Sequence, residues 1–215
     1  MNGGVVAKAG VEPRFALALL GVAMEGSVSL SVIEGRSCEG CTACCSFAPI
    51  RTNELDKPAN SLCLHCAEGQ GCTVYDIRPQ VCRGFYCGYF FLPELGEEWH
   101  PSRSGVVIRS EHFDNDTITI LVLELTAFLV SESFAGLVGA WVDEGISVEF
   151  ERLGPPGHLP AKMRINEILE DAVKARDLRA MHTGFAWALS YIDKTHTWEK
   201  DETPFRSLLA GDARV

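Results

Sequence analysis

The chain carries nine cysteines, and all of them lie between positions 38 and 87. Thiolate sulfur is a natural ligand for zinc and for iron–sulfur clusters, so the spacing of the cysteines decides what chemistry is open to them. The first box, Cys38-Glu39-Gly40-Cys41-Thr42-Ala43-Cys44-Cys45, sets three cysteines two residues apart and adds a fourth next to the third. Two intervening residues let the chain turn so that successive sulfurs approach one centre. Small residues such as Gly40 and Ala43 leave space for backbone amides to face the sulfur. Adjacent cysteines must send their side chains in different directions, so one of Cys44 and Cys45 is expected to face a second centre or the second box.

The second box is Cys63-Leu64-His65-Cys66, followed by Cys72 and then by Tyr75, Arg78, Pro79, Cys82, Arg83 and Cys87. Three cysteines spaced by two residues are also the run by which bacterial ferredoxins hold an iron–sulfur cluster, with one further ligand from a distant cysteine. Cys82 is expected in that role, because Pro79 starts a short helix that aims it toward the first box. Cys66 and Cys87 are each either a ligand or a spare, redox-active thiol. Cysteines used only for packing have no reason to cluster at ligand spacing, so the candidate metal ligands are Cys38, Cys41, Cys44, Cys45, Cys63, Cys66, Cys72, Cys82 and Cys87. An iron–sulfur cluster and zinc both stay open. His65 could replace a sulfur in a mixed zinc site, but an exposed or supporting place in its loop is the expectation. Arg78 and Arg83 could donate to sulfurs or cap helix ends, or form ordinary salt bridges. The other histidines form no spaced pair and receive no role.

These boxes together resemble the CxxCxxCC family of zinc- or iron-chelating domains, also called the YkgJ family. The residues that match are Cys38, Cys41, Cys44, Cys45, Cys63, Cys72, Tyr75, Arg78, Pro79, Cys82 and Arg83, within roughly a quarter of the chain. The resemblance implies metal chelation and no particular reaction, and it leaves Cys66 and Cys87 as additions to the pattern. A flagellin lysine methylase is similar in its cysteine box and carries an iron–sulfur cluster, which makes a redox or methyl-transfer enzyme the alternative function. The chain has no Gly-rich dinucleotide loop, no phosphate-binding Gly-Lys-Ser or Gly-Lys-Thr and no nucleophile elbow. Catalysis would therefore be centred on the metal, and a metal-binding protein is the favoured reading.

Charge supports ligation independently. Residues 36–90 hold five basic and five acidic side chains, which cancel, so converging thiolates would add negative charge that only cations make tolerable. The formal charge of −10 over the whole chain repels phosphate backbones, and nucleic acid is not an expected partner. A membrane is not expected either, since no apolar run reaches the ~18 residues of a spanning helix. Residues 15–24 resemble the apolar part of a signal peptide, but Glu12 and Pro13 interrupt the basic approach and a first helix is the better reading. An odd cysteine count, an adjacent pair and the absence of cysteine from Gly88 onward argue against a disulfide framework and for a reducing cytoplasm. The expected partner is a metal ion, with any protein partner open.

The elements that position the cysteines read as α+β, with an irregular cysteine-rich metal-binding module packed on a small antiparallel sheet with helices. Residues 1–35 supply a helix over 14–25 and a short alternating strand up to Val32. Residues 36–91 form the module, held by its ligands more than by a core of its own. Residues 100–193 form the body. There, Val106-Val107-Ile108 and the run 117–122 flank Asp114-Asn115-Asp116 as a hairpin. Phe134, Leu137, Val138, Trp141 and Val142 recur at helical spacing, with Ser131 or Ser133 as cap and Gly145 as stop. Val148 and Phe150 alternate as a further strand. A long helix then starts near Ile165, is interrupted near Gly184 and resumes through Trp187, Leu189 and Ile192. Residues 194–215 are expected to be a loosely held tail. The aromatic run Phe85, Tyr86, Tyr89, Phe90 and Phe91 should dock the module or shield a cluster from water.

Overall fold

A computed structural model describes residues 32–38, 40–67, 69–110 and 117–204. The expected first helix and strand before Val32, the turn at Asp114-Asn115-Asp116 and the last eleven residues lie outside these. From residue 36 to 91 the elements are short, as glycine, proline and sparse apolar periodicity dictate. They comprise helix α1 (Ala43–Phe47), hairpin β1 (Ile50–Arg51) with β2 (Asp56–Lys57), hairpin β3 (Cys66–Ala67) with β4 (Gly71–Cys72), and helix α2 (Gln80–Arg83). Pro79 directly precedes α2, and Glu54 Oε2 accepts the Gln80 N–H at 2.6 Å, placing an anion at the start of that helix. Helix α3 (Pro101–Ser104) leads through Gly105, at φ +74°, into the body.

Strands β5 (Val106–Arg109), β6 (Thr117–Val122), β7 (Ser147–Arg152) and β8 (Ala161–Arg164) form one sheet in chain order. The expected hairpin is present, with Val106 opposite Val122, and β7 pairs antiparallel with β8, a strand the sequence pattern did not single out. The α+β class stands, but the sheet differs at its centre, where β6 and β7 run parallel. The physical reason is helix α4 (Glu132–Asp143), which crosses over between them and returns the chain in the same direction. Ser131 caps α4 by accepting the Phe134 N–H at 3.1 Å, as the sequence implied, and Gly145 follows its end at φ +80°.

Helices α5 (Asn166–Ala175) and α6 (Leu178–Thr195) correct the expected break near Gly184. The chain turns at Arg176, in the left-handed region at φ +53°, and Asp177 caps α6 through the Ala180 N–H. Gly184 instead sits inside α6, where a Cβ would lie 2.8 Å from Leu169 Cδ2, so its missing side chain is what lets α5 and α6 touch.

The sheet is covered on both faces, which explains the unbroken apolar run in β5. Val106, Ile108, Ile118, Ile120, Val122, Val148 and Phe150 face the helices. Val107 and Leu121 point to the opposite face, where they meet Ala43 and Phe47 of α1, so the cysteine module forms the third layer. Val107 and Leu121 are almost fully buried, each worth about 1.5–3 kcal/mol by area. Arg109 and Glu151 form an ion pair on that same module-facing side, and the guanidinium lies 5.4 Å from the Phe47 ring centroid. The tail is also more firmly held than expected up to residue 204. Lys200 bridges His158, and the Asp201 carboxylate accepts the Ala59 N–H at 2.8 Å. Among the described residues no helix is long and apolar enough to cross a membrane.

Candidate metal centre

The start of the module is pinned by Arg36. Its guanidinium donates to the carbonyls of Tyr89, Leu92 (2.9 Å) and Leu95 (2.6 Å) and lies 4.7 Å from the Tyr89 ring centroid. This clamp holds the approach to Cys38 against the segment that follows Cys87. From Cys38 the chain turns at once, with the Cys41 N–H donating to the Cys38 carbonyl at 2.9 Å and Gly40 at φ +68°. Gly71 of the β3–β4 hairpin packs on that turn. Its φ is +77°, and a Cβ there would come within 3.3 Å of the Cys41 carbonyl oxygen, so glycine is favoured at this position.

Cys44 and Cys45 are consecutive on α1, and residues one apart on a helix are rotated by about 100°. Their thiols are hydrogen-bonded to each other, and each also has neighbours of its own. Cys44 joins Cys38, Cys41 and Cys87 in lining a cavity of about 30 Å³, walled also by Ala43, Phe85, Tyr86, Phe90, His100 and Val107 of the sheet. Cys87 reaches it because Gly88 lies directly on β5, where a Cβ would be 2.8 Å from Ile108 Cγ2. The distant cysteine that lines this cavity is Cys87, while Cys82 lies near Cys45 of the same first box.

Cys45 stands between two sets: its thiol is hydrogen-bonded with both Cys44 and Cys66, and it also acts on Cys38 and Cys41. The Cys63 N–H donates to the Cys45 carbonyl at 2.9 Å, tying the two boxes together through backbone. Cys66 follows Cys63 by a turn closed at 3.0 Å, its sulfur is hydrogen-bonded with that of Cys45, and its cross-strand partner is Cys72. Cys82, on α2, feels the charges of Cys63, Cys45 and Cys72 most strongly among the thiols. The nine thiols, all free, thus form a cavity-lining group of Cys38, Cys41, Cys44 and Cys87 and a neighbouring group of Cys63, Cys66, Cys72 and Cys82, with Cys45 in contact with both.

Backbone amides face several of these sulfurs, as the small residues of the boxes anticipated. The His65 N–H lies 3.5 Å from Cys63 Sγ, and the amides of Ala43 and Tyr89 face Cys41 and Cys87. His65 itself places no ring nitrogen in a described contact with the thiols; its carbonyl accepts from Thr73.

Without metal, six of the thiols are pushed toward their protonated form. Burial pushes Cys87 and Cys66 up to about 12 and Cys82 up to about 11. Burial also raises Cys38 and Cys41, while the Tyr75 hydroxyl donates to Cys38 and partly offsets it. Cys45 is raised first by its hydrogen bond with Cys44 and then by burial.

Two cations stand beside the sulfurs. Lys57, 3% exposed, donates to the carbonyls of Pro58 (3.2 Å) and Ser61 (2.8 Å), and its neighbouring charges include Cys63, Cys45 and Cys44. Arg78 stacks 4.1 Å from the Tyr75 ring centroid and 6.0 Å from that of Tyr86, close enough to Cys38 and Cys82 to act on both. Among the described residues no carboxylate forms a salt bridge with Arg78, and its buried Nε has no hydrogen-bond partner. Among the described residues Arg83 forms no ion pair and no sulfur contact; its Nε donates to the Arg78 carbonyl at 2.8 Å.

Sequence reasoning missed Arg36, Lys57 and His100 as parts of the site. Arg36 and Lys57 entered it only as charges to be counted, and a lone histidine far from the boxes carries no spacing signal. Within the aromatic run, Tyr89 and Phe90 enter the main core, and with Phe85 and Tyr86 they wall the cavity.

The donor set is all sulfur, amides face it and cations flank it, which fits a thiolate-bound metal. Among the described residues no three His, Cys, Asp or Glu side chains are so placed that they could already hold a metal ion. Cysteine has a single heavy-atom torsion, so a sulfur can be re-aimed without moving backbone. In comparisons with known proteins, no family model, no curated protein and no solved structure matches this chain.

Proposed function

We propose that this chain is a metal-binding protein that chelates an iron–sulfur cluster or zinc through cysteine thiolates, as its resemblance to the CxxCxxCC family implies. The observation that carries the reading is the grouping of nine free thiols from distant positions into two adjoining sets, with backbone amides facing the sulfurs. Cys38, Cys41, Cys44 and Cys87 would hold one centre, and the second would draw on Cys45, Cys63, Cys66, Cys72 and Cys82. Bound zinc would cross-link the loops, and a bound iron–sulfur cluster would add electron transfer. Arg78 and Lys57 would balance the charge of the thiolates, and the cavity wall of Phe85, Tyr86 and Phe90 would keep water from the first centre. Free thiols are what a reducing cytoplasm maintains, and that compartment belongs to the same proposal.

Elemental analysis and absorption spectra of protein purified without oxygen test it. Zinc thiolates are colourless and iron–sulfur clusters brown, so the two metals separate at once. The expected result is at least one tightly held metal per chain. A content under about 0.2 equivalents of zinc plus iron, in protein never exposed to chelator, refutes the proposal.

A further inference from the structure

Of the nine thiols, all among the described residues, Cys63 alone is buried; the other eight are partly exposed. A hydrated cation reaches a buried thiol only when the chain around it moves. The segment that leads into Cys63, residues 57–61, is buried at Lys57 and Ala59. Two pieces from far along the chain hold it. One is the loop between β7 and β8. Asn60 Nδ2 donates to the carbonyls of Gly154 (3.2 Å) and His158 (2.7 Å), and the Gly157 N–H donates to the Ala59 carbonyl at 2.8 Å. The other is residues 198–203, beyond the end of α6. There the Asp201 carboxylate, 1% exposed, accepts the Ala59 N–H at 2.8 Å and the Thr203 N–H at 3.0 Å, and lies 3.7 Å from the Arg51 guanidinium. This second piece lies on the surface, with Glu199, Lys200 and Glu202 exposed. It joins the β7–β8 loop through the Leu159 N–H on the Glu199 carbonyl (2.8 Å) and the Asp201 N–H on the Gly157 carbonyl (2.9 Å). The Trp198 ring sits on Gly154, where a Cβ would lie 2.7 Å from its Cε3. A surface segment held by so few bonds near a chain end opens at far lower cost than the sheet core.

We propose that residues 198–203 are a clasp, with Asp201 as its latch, whose opening frees residues 57–61 and admits a thiophilic divalent cation to Cys63 and the thiols around it. The inference rests on the metal-binding reading above and concerns the regulation of that site. The bonds that close the clasp involve backbone, Asp201, Asn60 and Trp198 and no thiol, so opening removes no ligand. The clasp therefore sets how fast metal enters and leaves, and leaves unchanged how much is bound. None of the residues it joins lines the cavity of Cys38, Cys41, Cys44 and Cys87, so metal held there is insensitive to it.

Amide exchange and zinc release, both on the full-length chain loaded with zinc under reducing conditions, test the opening and its consequence separately. In wild type the amides of Ala59, Gly157 and Asp201, which meet at the clasp, should share one protection, lower than that of the β6 amides. Asp201→Ala and Trp198→Ala should each speed exchange at Ala59 and Gly157 by about 10-fold or more, with β6 unchanged. Zinc release to excess pyridylazoresorcinol should speed up equally for one of the two centres, at unchanged zinc content. Glu170→Ala, which breaks an exposed ion pair on α5, should alter neither reading. Protection at the three wild-type amides equal to that of β6 would overturn the proposal without recourse to any variant. Faster exchange with unchanged zinc release would also overturn it, and so would loss of bound zinc in both variants, since the clasp holds no ligand. A wild-type chain that takes up neither zinc nor iron would sink the metal reading itself, and the metal content alone tells that failure from the others.

Discussion

Serine replacement of Cys41, of Cys82 and of both tests whether the thiols act as two centres or one. Cys41 lines the cavity with Cys38, Cys44 and Cys87, whereas Cys82 sits among Cys45, Cys63 and Cys72. Apparent binding energies of structural zinc–thiolate sites run about 10–16 kcal/mol, so one ligand of four is worth about 3 kcal/mol, or roughly 100-fold in affinity. Against a chelator of intermediate strength that difference empties the damaged centre and spares the other. Each single variant should therefore lose one metal and keep one, and the double variant should lose both, an additive pattern. Metal counting after dialysis, with absorption spectra if iron is present, is the assay. Loss of all metal in either single variant would refute the division and restore the shared centre that the ferredoxin-like spacing suggested, with Cys82 as the distant ligand of the first box.

Two further outcomes follow from burial. Glu151 is 2% exposed and its partner Arg109 19%, so Glu151→Gln leaves a largely buried guanidinium without its anion beneath the module. It should cost about 3 kcal/mol in urea unfolding, and a loss under about 1 kcal/mol would contradict the burial of the pair. In metal-free protein, Cys66, Cys82 and Cys87 are raised by burial from 9.0 to about 12, 11 and 12. Between these limits the unfolded chain has released thiol protons that the folded chain still holds. Apo stability should therefore be constant through pH 8 and fall from about pH 9 upward. Chemical denaturation of the apo protein at pH 8, 9 and 10 checks the sign, and stability that rises over this range refutes it.

Part of this architecture is local and was legible as such. The α4 helix could be placed from its apolar spacing, its Ser131 cap and Gly145, because each of those signals acts within one or two turns of chain. The Cys-x2-Cys turns are equally local: Gly40 supplies the left-handed backbone and the Cys41 amide closes on Cys38. The strand–helix–strand order through α4 in fact implies a parallel β6–β7 pair, because a crossover of that length returns the chain in the same direction. The break between α5 and α6 was misplaced because Gly184 looks like a helix breaker in one dimension. In three, it is the point of contact between two helices, while Arg176 and the Asp177 cap make the turn.

By itself the sequence determined that the cysteines lie in two boxes between positions 38 and 87 and that the Cys-x2-Cys segments turn. Those conclusions depend on residue type and on separations of a few residues, over which backbone geometry is nearly fixed. Which thiols line one cavity was decided by the tertiary structure alone. Cys87 reaches the first box because Gly88 rests on β5, and α1 is seated by Val107 and Leu121 on a sheet face that local pattern cannot assign. The Arg36 clamp and the His100 wall join residues tens of positions apart. Such contacts exist only once the sheet has two covered faces and the module is packed against one of them.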